Sequence, residues 1–170
     1  MWARMSILLH AKLKFLFMVI AIDFDNTIST HNYPYTGYLI PMAKEVIDVI
    51  KDNGHHTFLW TVRSDESFDS EGRVNSLNEA KKFIIDHEIE IDTFNESPIH
   101  PSSSPKQLAH IVIDDINLGT PMMFYKGHRV VNWYELTYHL ENRGVISFEE
   151  GRDLRVYAEE HYPNEFGTKN

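Results

Sequence analysis

VIAIDFDNTIS, Val19 to Ser29, decides how the rest of the chain is read. Four apolar residues run directly into Asp23 and Asp25, with only Phe24 between them. The run extends back to Phe15 without a polar break, which is the pattern of a strand covered on both faces. Closing it with two acids is electrostatically poor unless something offsets the repulsion. The chain repeats the theme once: AHIVIDD, residues 109–115, is a second apolar run that ends in adjacent acids.

Between the two runs the pattern alternates. STHNYPYTGYLIP (29–41) predicts a loop, from its Pro, Gly and Tyr. PMAKEVIDVIKDNG (41–54) predicts a helix, with Pro41 in its first turn, Val46, Ile47 and Ile50 on one face, and Gly54 as terminator. HTFLWT (56–61) predicts a second buried strand ending at Thr61, and VRSDESFDSEG (62–72) a polar loop. RVNSLNEAKKFIIDHE (73–88) predicts a helix with Leu77, Ala80, Phe83 and Ile84 on its buried stripe. IEIDTFNE (89–96) predicts a short strand and SPIHPSSSP (97–105) an irregular linker. Beyond the second acid pair, MMFYKGHRVV (122–131) predicts a small hairpin. NWYELTYHLENRG (132–144) and SFEEGRDLRVYAEEHY (147–162) predict two further helices.

Strands alternating with helices predict an α/β domain: an open, mainly parallel sheet with helices on both faces and no large cap domain. A chain of 170 residues makes one domain the default and buries about two thirds of its unfolded surface. Its 42% hydrophobic and 12% aromatic content suffices for a packed core. A net charge of -9 argues against a nucleic-acid polymer as partner, because that requires clustered Lys and Arg. Small anions stay open to it, held by a local cation or a metal. The absence of cysteine removes any disulfide framework or thiolate metal site and fits a cytoplasmic location. The opening residues resemble a signal peptide, but Lys12 and Lys14 interrupt the apolar run and no small-residue cleavage site follows Ile22. The stretch 15–22 is too short to span a membrane. Residues 1–14 are therefore expected to be an appendage, 15–146 the core, and 147–170 a helical tail on or beyond it.

In open α/β sheets ligands bind beyond the carboxyl ends of the strands. Asp23, Thr61 and Asp114 each follow an apolar strand, so all three should meet at one edge. Up to four carboxylates, from Asp23, Asp25, Asp114 and Asp115, would then repel one another unless a cation stood among them. Mg²⁺ wants hard oxygen ligands and suits such a set. A turn beginning at Phe24 would let the Asp23 side chain and the Asp25 backbone carbonyl face the metal, leaving the Asp25 side chain for another task. A metal held by acids suits phosphate chemistry, for which Thr61 offers a hydroxyl donor and Lys106, in SSPKQLAH, a point positive charge.

DFDNT, FLWTVR, an intervening lysine and IVIDD resemble, in order, the four signatures of the haloacid dehalogenase (HAD) superfamily of phosphohydrolases. The resemblance covers about Val19 to Trp133. FNESP and IVIDDINLG look closest to a small capless bacterial and phage subgroup. Asn26 stands where the family most often has Gly, and it tolerates the unusual turn conformations that Gly adopts. The resemblance implies a Rossmann-like core and a Mg²⁺-dependent phosphatase working through an aspartyl-phosphate. Asp23 would be the nucleophile and Asp25 the acid and base. Thr61, Lys106 and Asn26 would bind the phosphoryl group. Asp114 would be a further metal ligand, with Asp115 either ligating directly or orienting a metal-bound water.

Other positions keep two readings. Arg63 either meets a substrate anion or forms a surface ion pair. Asn95 and Glu96 either line the pocket or serve a turn. The ten histidines lack metal-ligand spacing and are read as structural. A receiver-like phosphoacceptor also uses Asp, Thr and Lys, but in another order and without the paired acids. A non-catalytic phosphate-binding relative would be expected to have lost a catalytic position. No GxxxxGK[ST] supports a P-loop kinase. The two intervals between motifs leave no room for a substantial cap, which leaves an open site for a large substrate or for a cover; the preferred substrate is a small phosphorylated metabolite such as a nucleotide or sugar phosphate. Tyr33, Tyr35 and Tyr38 could stack on its base or sugar. The candidates for covering the open site are a second copy of the chain and the segment 29–41.

Overall fold

The structure is a computed structural model that describes residues 17–69 and 71–167. The expected appendage, Phe15 and Leu16 of the expected opening strand, and residues 168–170 of the expected tail lie outside the described residues. In chain order the elements are β1 (Val19–Ile22), β2 (Ser29–Asn32), β3 (Tyr35–Leu39), α1 (Ala43–Asp52), β4 (His56–Leu59), β5 (Ser67–Asp69), β6 (Gly72–Val74) and α2 (Ser76–Asp86). They continue with β7 (Thr93–Phe94), β8 (Ile111–Ile113), β9 (Met122–Tyr125), β10 (His128–Val131), α3 (Trp133–Asn142), α4 (Phe148–His161) and α5 (Pro163–Phe166).

The central sheet is parallel throughout, in the order β7-β4-β1-β8. Ile22 is level with Leu59 on one side and Ile113 on the other, so three strands end in register. The crossovers through α1 and α2 both move the same way across the sheet. Right-handed connections therefore put both helices on one face. There Ile20, Ile22, Leu59 and Ile113 pack into one core with α1, α2, α3 and α4, including Val46, Ile47, Phe83, Leu140 and Leu154. On the opposite face a smaller cluster of Val19, Ala21 and Phe58 is covered by Trp60, Ile99 and Ala109, which belong to connecting segments rather than to a helix. The return from β7 to β8 runs through this irregular stretch.

Helix boundaries follow local chemistry. Asn75 caps α2 and Asn132 caps α3, each side chain accepting from a backbone N–H three residues on. Ser147 and Glu150 form a reciprocal capping box at the start of α4. Helix α1 begins after Met42, which takes a left-handed conformation at φ 70°, so Pro41 precedes the first turn instead of occupying it. The C-terminal helices close the core: Leu154 and Ala158 are buried, and Tyr162 and Phe166 pack against it. Among the described residues no helix is long and apolar enough to cross a membrane.

Two segments expected as loops are small antiparallel hairpins. STHNYPYTGYLIP forms β2 and β3; VRSDESFDSEG contains β5 and the first residue of β6, whose Arg73 and Val74 come from the stretch expected as helix. The first is tightly built: the Gly37 N–H donates to Ser29 Oγ at 3.0 Å, and a Cβ on Gly37 would sit 2.3 Å from the Thr30 carbonyl oxygen. Only glycine permits that approach. Tyr35 donates its hydroxyl to Asp69, joining the two hairpins. Neither is a cap domain.

Candidate active site

The sheet order reverses between β1 and β8, because β1, β4 and β7 progress to one side while β8 lies on the other. Such a switch point opens a crevice at the carboxyl ends of the strands. Asp23 follows β1, and its N–H donates to the Ile113 carbonyl of β8 at 2.9 Å. Carboxylate oxygens of Asp23, Asp114 and Asp115 lie within 4.8 Å of one another. A cavity of about 470 Å³ stands over them, lined by Asp23, Asp25, Asn26, His31, Tyr33, Trp60, Val62, Asp114, Asp115 and Ile116.

The DFDNT turn explains how acids two apart reach one cavity. Phe24 is fully buried, edge-on to Phe83 of α2 at 5.5 Å between ring centroids. Its carbonyl accepts from the N–H groups of Thr27, Ile28 and Ser29, which wraps the chain around the phenylalanine. Asn26 supplies the reversal at φ 56°. From outside, the Val131 N–H donates to the Asn26 carbonyl at 2.8 Å and the Trp133 indole N–H to the Thr27 carbonyl at 2.7 Å. The turn is therefore fixed by core packing on one side and by β10 and α3 on the other.

The four acids have different surroundings. Asp23 accepts from the Thr27 hydroxyl at 3.3 Å. Burial, followed by the Asp114, Asp25 and Asp115 charges, pushes its carboxyl up to about 7 against the opposing backbone N–H of Phe24. Asp115 is also raised, chiefly by burial and then by Asp114 and Asp25, while the Asn26 amide opposes this. The Asn26 side chain donates to Asp115 at 3.2 Å and accepts from the His31 N–H at 3.2 Å, so it braces the acid cluster against β2. Asp114 accepts from the Ile116 N–H at 3.0 Å.

Asp25 stands apart from the three-carboxylate group. Arg63 donates to both of its oxygens, Nε and one terminal nitrogen each at 2.8 Å. The same guanidinium donates to the carbonyls of Pro34 at 2.7 Å, Tyr35 at 2.7 Å and Ser76 at 3.3 Å. Those contacts use all five of its N–H groups. Arg63 is buried, with its guanidinium 4.7 Å from the Phe24 ring centroid. It neither lines the cavity nor pairs at the surface, which departs from both sequence readings; it holds Asp25 and ties that acid to the first hairpin.

The remaining expected residues separate. Thr61 is buried beside the cavity, between the lining residues Trp60 and Val62, and its hydroxyl oxygen accepts from the Arg63 N–H at 3.3 Å. Asn95, at φ 55° after β7, does not line the cavity; its side chain accepts from the Thr61 N–H at 2.9 Å and so fixes the end of β4. Glu96 accepts the Thr93 hydroxyl at its carbonyl, a turn contact. Lys106 lies in the exposed stretch 101–106 and is not among the cavity's lining residues. His31 does line it, with Nδ1 3.5 Å from Asp25 Oδ1. The structural reading of all histidines missed it, because β2 delivers His31 by hairpin pairing and no sequence spacing signals that.

The cluster's chemistry fits a hard divalent cation. Its donors are all oxygen, two of its acids are displaced upward by burial and mutual repulsion, and none of the described residues lining the cavity is a lysine or arginine. Asp23, Asp114 and Asp115 are the residues that could hold such an ion.

No protein-family model matches the chain, and no curated protein matches it. A solved structure, described as a conserved protein from Bacteroides thetaiotaomicron, is similar with a TM-score of 0.57 and 26% identity. The match covers 79% of this chain and 96% of that one. That neighbour agrees with an α/β fold built on a parallel sheet.

Proposed function

We propose that this chain is a Mg²⁺-dependent phosphatase of the HAD kind, hydrolysing a small phosphomonoester through an aspartyl-phosphate on Asp23. The observation that carries the reading is the convergence of Asp23, Asp114 and Asp115 at the switch point, with Asp25 held beside them but engaged by Arg63. A bound Mg²⁺ would neutralise the carboxylates and draw charge from the phosphoryl oxygens.

The chain's own residues would act in two steps. An Asp23 oxygen bonds to phosphorus as the ester P–O bond breaks, and Asp25 gives a proton to the departing alkoxide. Water then attacks phosphorus, Asp25 takes its proton, and the bond to Asp23 breaks to release inorganic phosphate. Arg63 occupies one direction on each Asp25 oxygen, and a carboxylate keeps further lone pairs for the proton. Asn95 and Arg63 fix the backbone around Thr61, whose hydroxyl would hold a phosphoryl oxygen. Lys106 enters this reading as a cation arriving from the exposed linker.

Phosphate release from a panel of phosphomonoesters tests the proposal, with Mg²⁺ or EDTA and with Asp23→Asn as the blank. The expected result is release that needs Mg²⁺ and vanishes in the blank. Release surviving Asp23→Asn would refute the nucleophile. A stable phosphorylated Asp23 without turnover would favour the receiver-like phosphoacceptor instead. Lys106→Ala in the same assay measures the linker's share, expected as a tenfold or larger fall in kcat/KM.

A further inference from the structure

The walls of the cavity differ in kind from its floor. The floor is four aspartates with Asn26 and His31, while the walls are Tyr33, Trp60, Val62 and Ile116. Val62 is 92% exposed and Ile116 84% exposed. Single exposed aliphatic residues are ordinary on a protein surface. Here two of them flank one acidic floor, on the loops that follow β4 and β8, and Tyr33 stands on the hairpin that Arg63 anchors. The cavity's cation supply is equally distinctive. Arg63 is spent on Asp25 and three carbonyls, and among the described lining residues only His31 can carry positive charge.

Resting on the phosphatase reading, we propose that the substrate is a monophosphate whose remaining part is electrically neutral and presents a flat or apolar face, as a nucleobase or aryl group does. The phosphoryl group would sit on the acidic floor, where a divalent cation is needed. Its body would lie against Tyr33, Trp60, Val62 and Ile116. A second phosphate or a carboxylate on that body would find no arginine or lysine among the described lining residues to answer it, so bisphosphates and acidic sugar phosphates are disfavoured. A body without an apolar face, such as glycerol, leaves Val62 and Ile116 in water. A cavity of about 470 Å³ holds a body of nucleoside size.

The test uses alkyl phosphates with similar leaving groups: 2-(1-naphthyl)ethyl phosphate and a nucleoside 5′-monophosphate against glycerol 3-phosphate and a nucleoside 3′,5′-bisphosphate. The expected kcat/KM for the first two exceeds that for the last two at least tenfold, carried mainly by KM. In Val62→Ser/Ile116→Ser the naphthyl-to-glycerol ratio should fall toward one. Calorimetric affinity for the matching naphthyl and glycerol phosphonates should show the same ranking. Both substitutions are at exposed positions, so the fold should tolerate them. Equal turnover of naphthylethyl and glycerol phosphates, or a ratio unmoved by the double variant, overturns the substrate assignment while leaving the phosphatase reading intact. Release from none of the four overturns both.

Discussion

Two pairs of aspartates close neighbouring strands, and their fates differ. After β1, Phe24 separates Asp23 from Asp25 and plunges into the core, so the second acid is delivered to the guanidinium of Arg63. After β8, Asp114 and Asp115 are adjacent and both remain with Asp23. One acid is matched by a cation that the chain itself buries; the others meet mainly further carboxylate, an amide and a hydroxyl. Charge compensation here is local. The unmatched charge lies in an open crevice, where an ion from solution can reach it.

Breaking the matched acid should produce the largest effect. Arg63→Gln leaves Asp25 without its cation and removes the guanidinium donors to the Pro34 and Tyr35 carbonyls, for an expected loss of about 3–5 kcal/mol in urea unfolding. Arg63→Lys should recover only part of this, because an ammonium cannot span both carboxylate oxygens and the carbonyls. A loss under about 1 kcal/mol, the range of exposed pairs, would mean that Asp25 is matched by solvent instead. Next comes the hinge between the pairs. Asn26→Ala should cost about 1–2 kcal/mol, since alanine resists the left-handed backbone and cannot donate to Asp115. Asn26→Gly should restore the backbone share alone.

The unmatched acids should respond with the opposite sign. In EDTA, Asp114→Asn is expected to stabilise the fold by about 1 kcal/mol through relief of like-charge repulsion. It should also abolish the rise in Tm that Mg²⁺ gives the unaltered chain. Destabilisation in EDTA would show that the cluster is already compensated. The smallest effect is a control remote from both pairs. His55 is buried; its Nδ1 accepts from the Met18 N–H at 3.1 Å and its Nε2 lies 2.9 Å from the Val145 carbonyl. Burial holds its pKa below the ordinary value. The unfolded chain therefore takes up this proton at higher pH than the folded one. Stability from this group is full above about pH 6.5 and declines as pH falls through that value. His55→Gln should flatten that part of the stability profile, and whatever acid dependence survives belongs to the carboxylates.

Much of this was legible in the sequence, for identifiable reasons. Apolar runs ending in acids fixed the strands, and Leu77, Ala80, Phe83 and Ile84 are all buried as their spacing implied. The meeting of Asp23 with Asp114 followed from parallel strands ending together. The hairpin at 29–39 was not legible, since its two strands pair with each other around Tyr-Pro and bury little beyond Ser29 and Thr30. Arg63 was visible as a charge, but its role depends on acceptors from residues 25, 34, 35 and 76, which only the folded chain gathers. His31 was hidden for the same reason. Lys106 marks the opposite case: a recognisable position whose described surroundings are exposed linker.

Apart from Asp25, the acceptors of Arg63's hydrogen bonds are main chain, nearly the same whatever amino acid bears it, but its guanidinium also stands 5.4 Å from the Tyr33 ring centroid. A change of side chain at position 35 leaves that main-chain anchorage in place, whereas a change at position 33 also takes a ring away from the guanidinium. Selectivity and reactivity are mechanically joined here, because a residue of the cavity's lining rests on the same cation that holds Asp25, so a new preference engineered at position 33 would be felt by the machinery beneath.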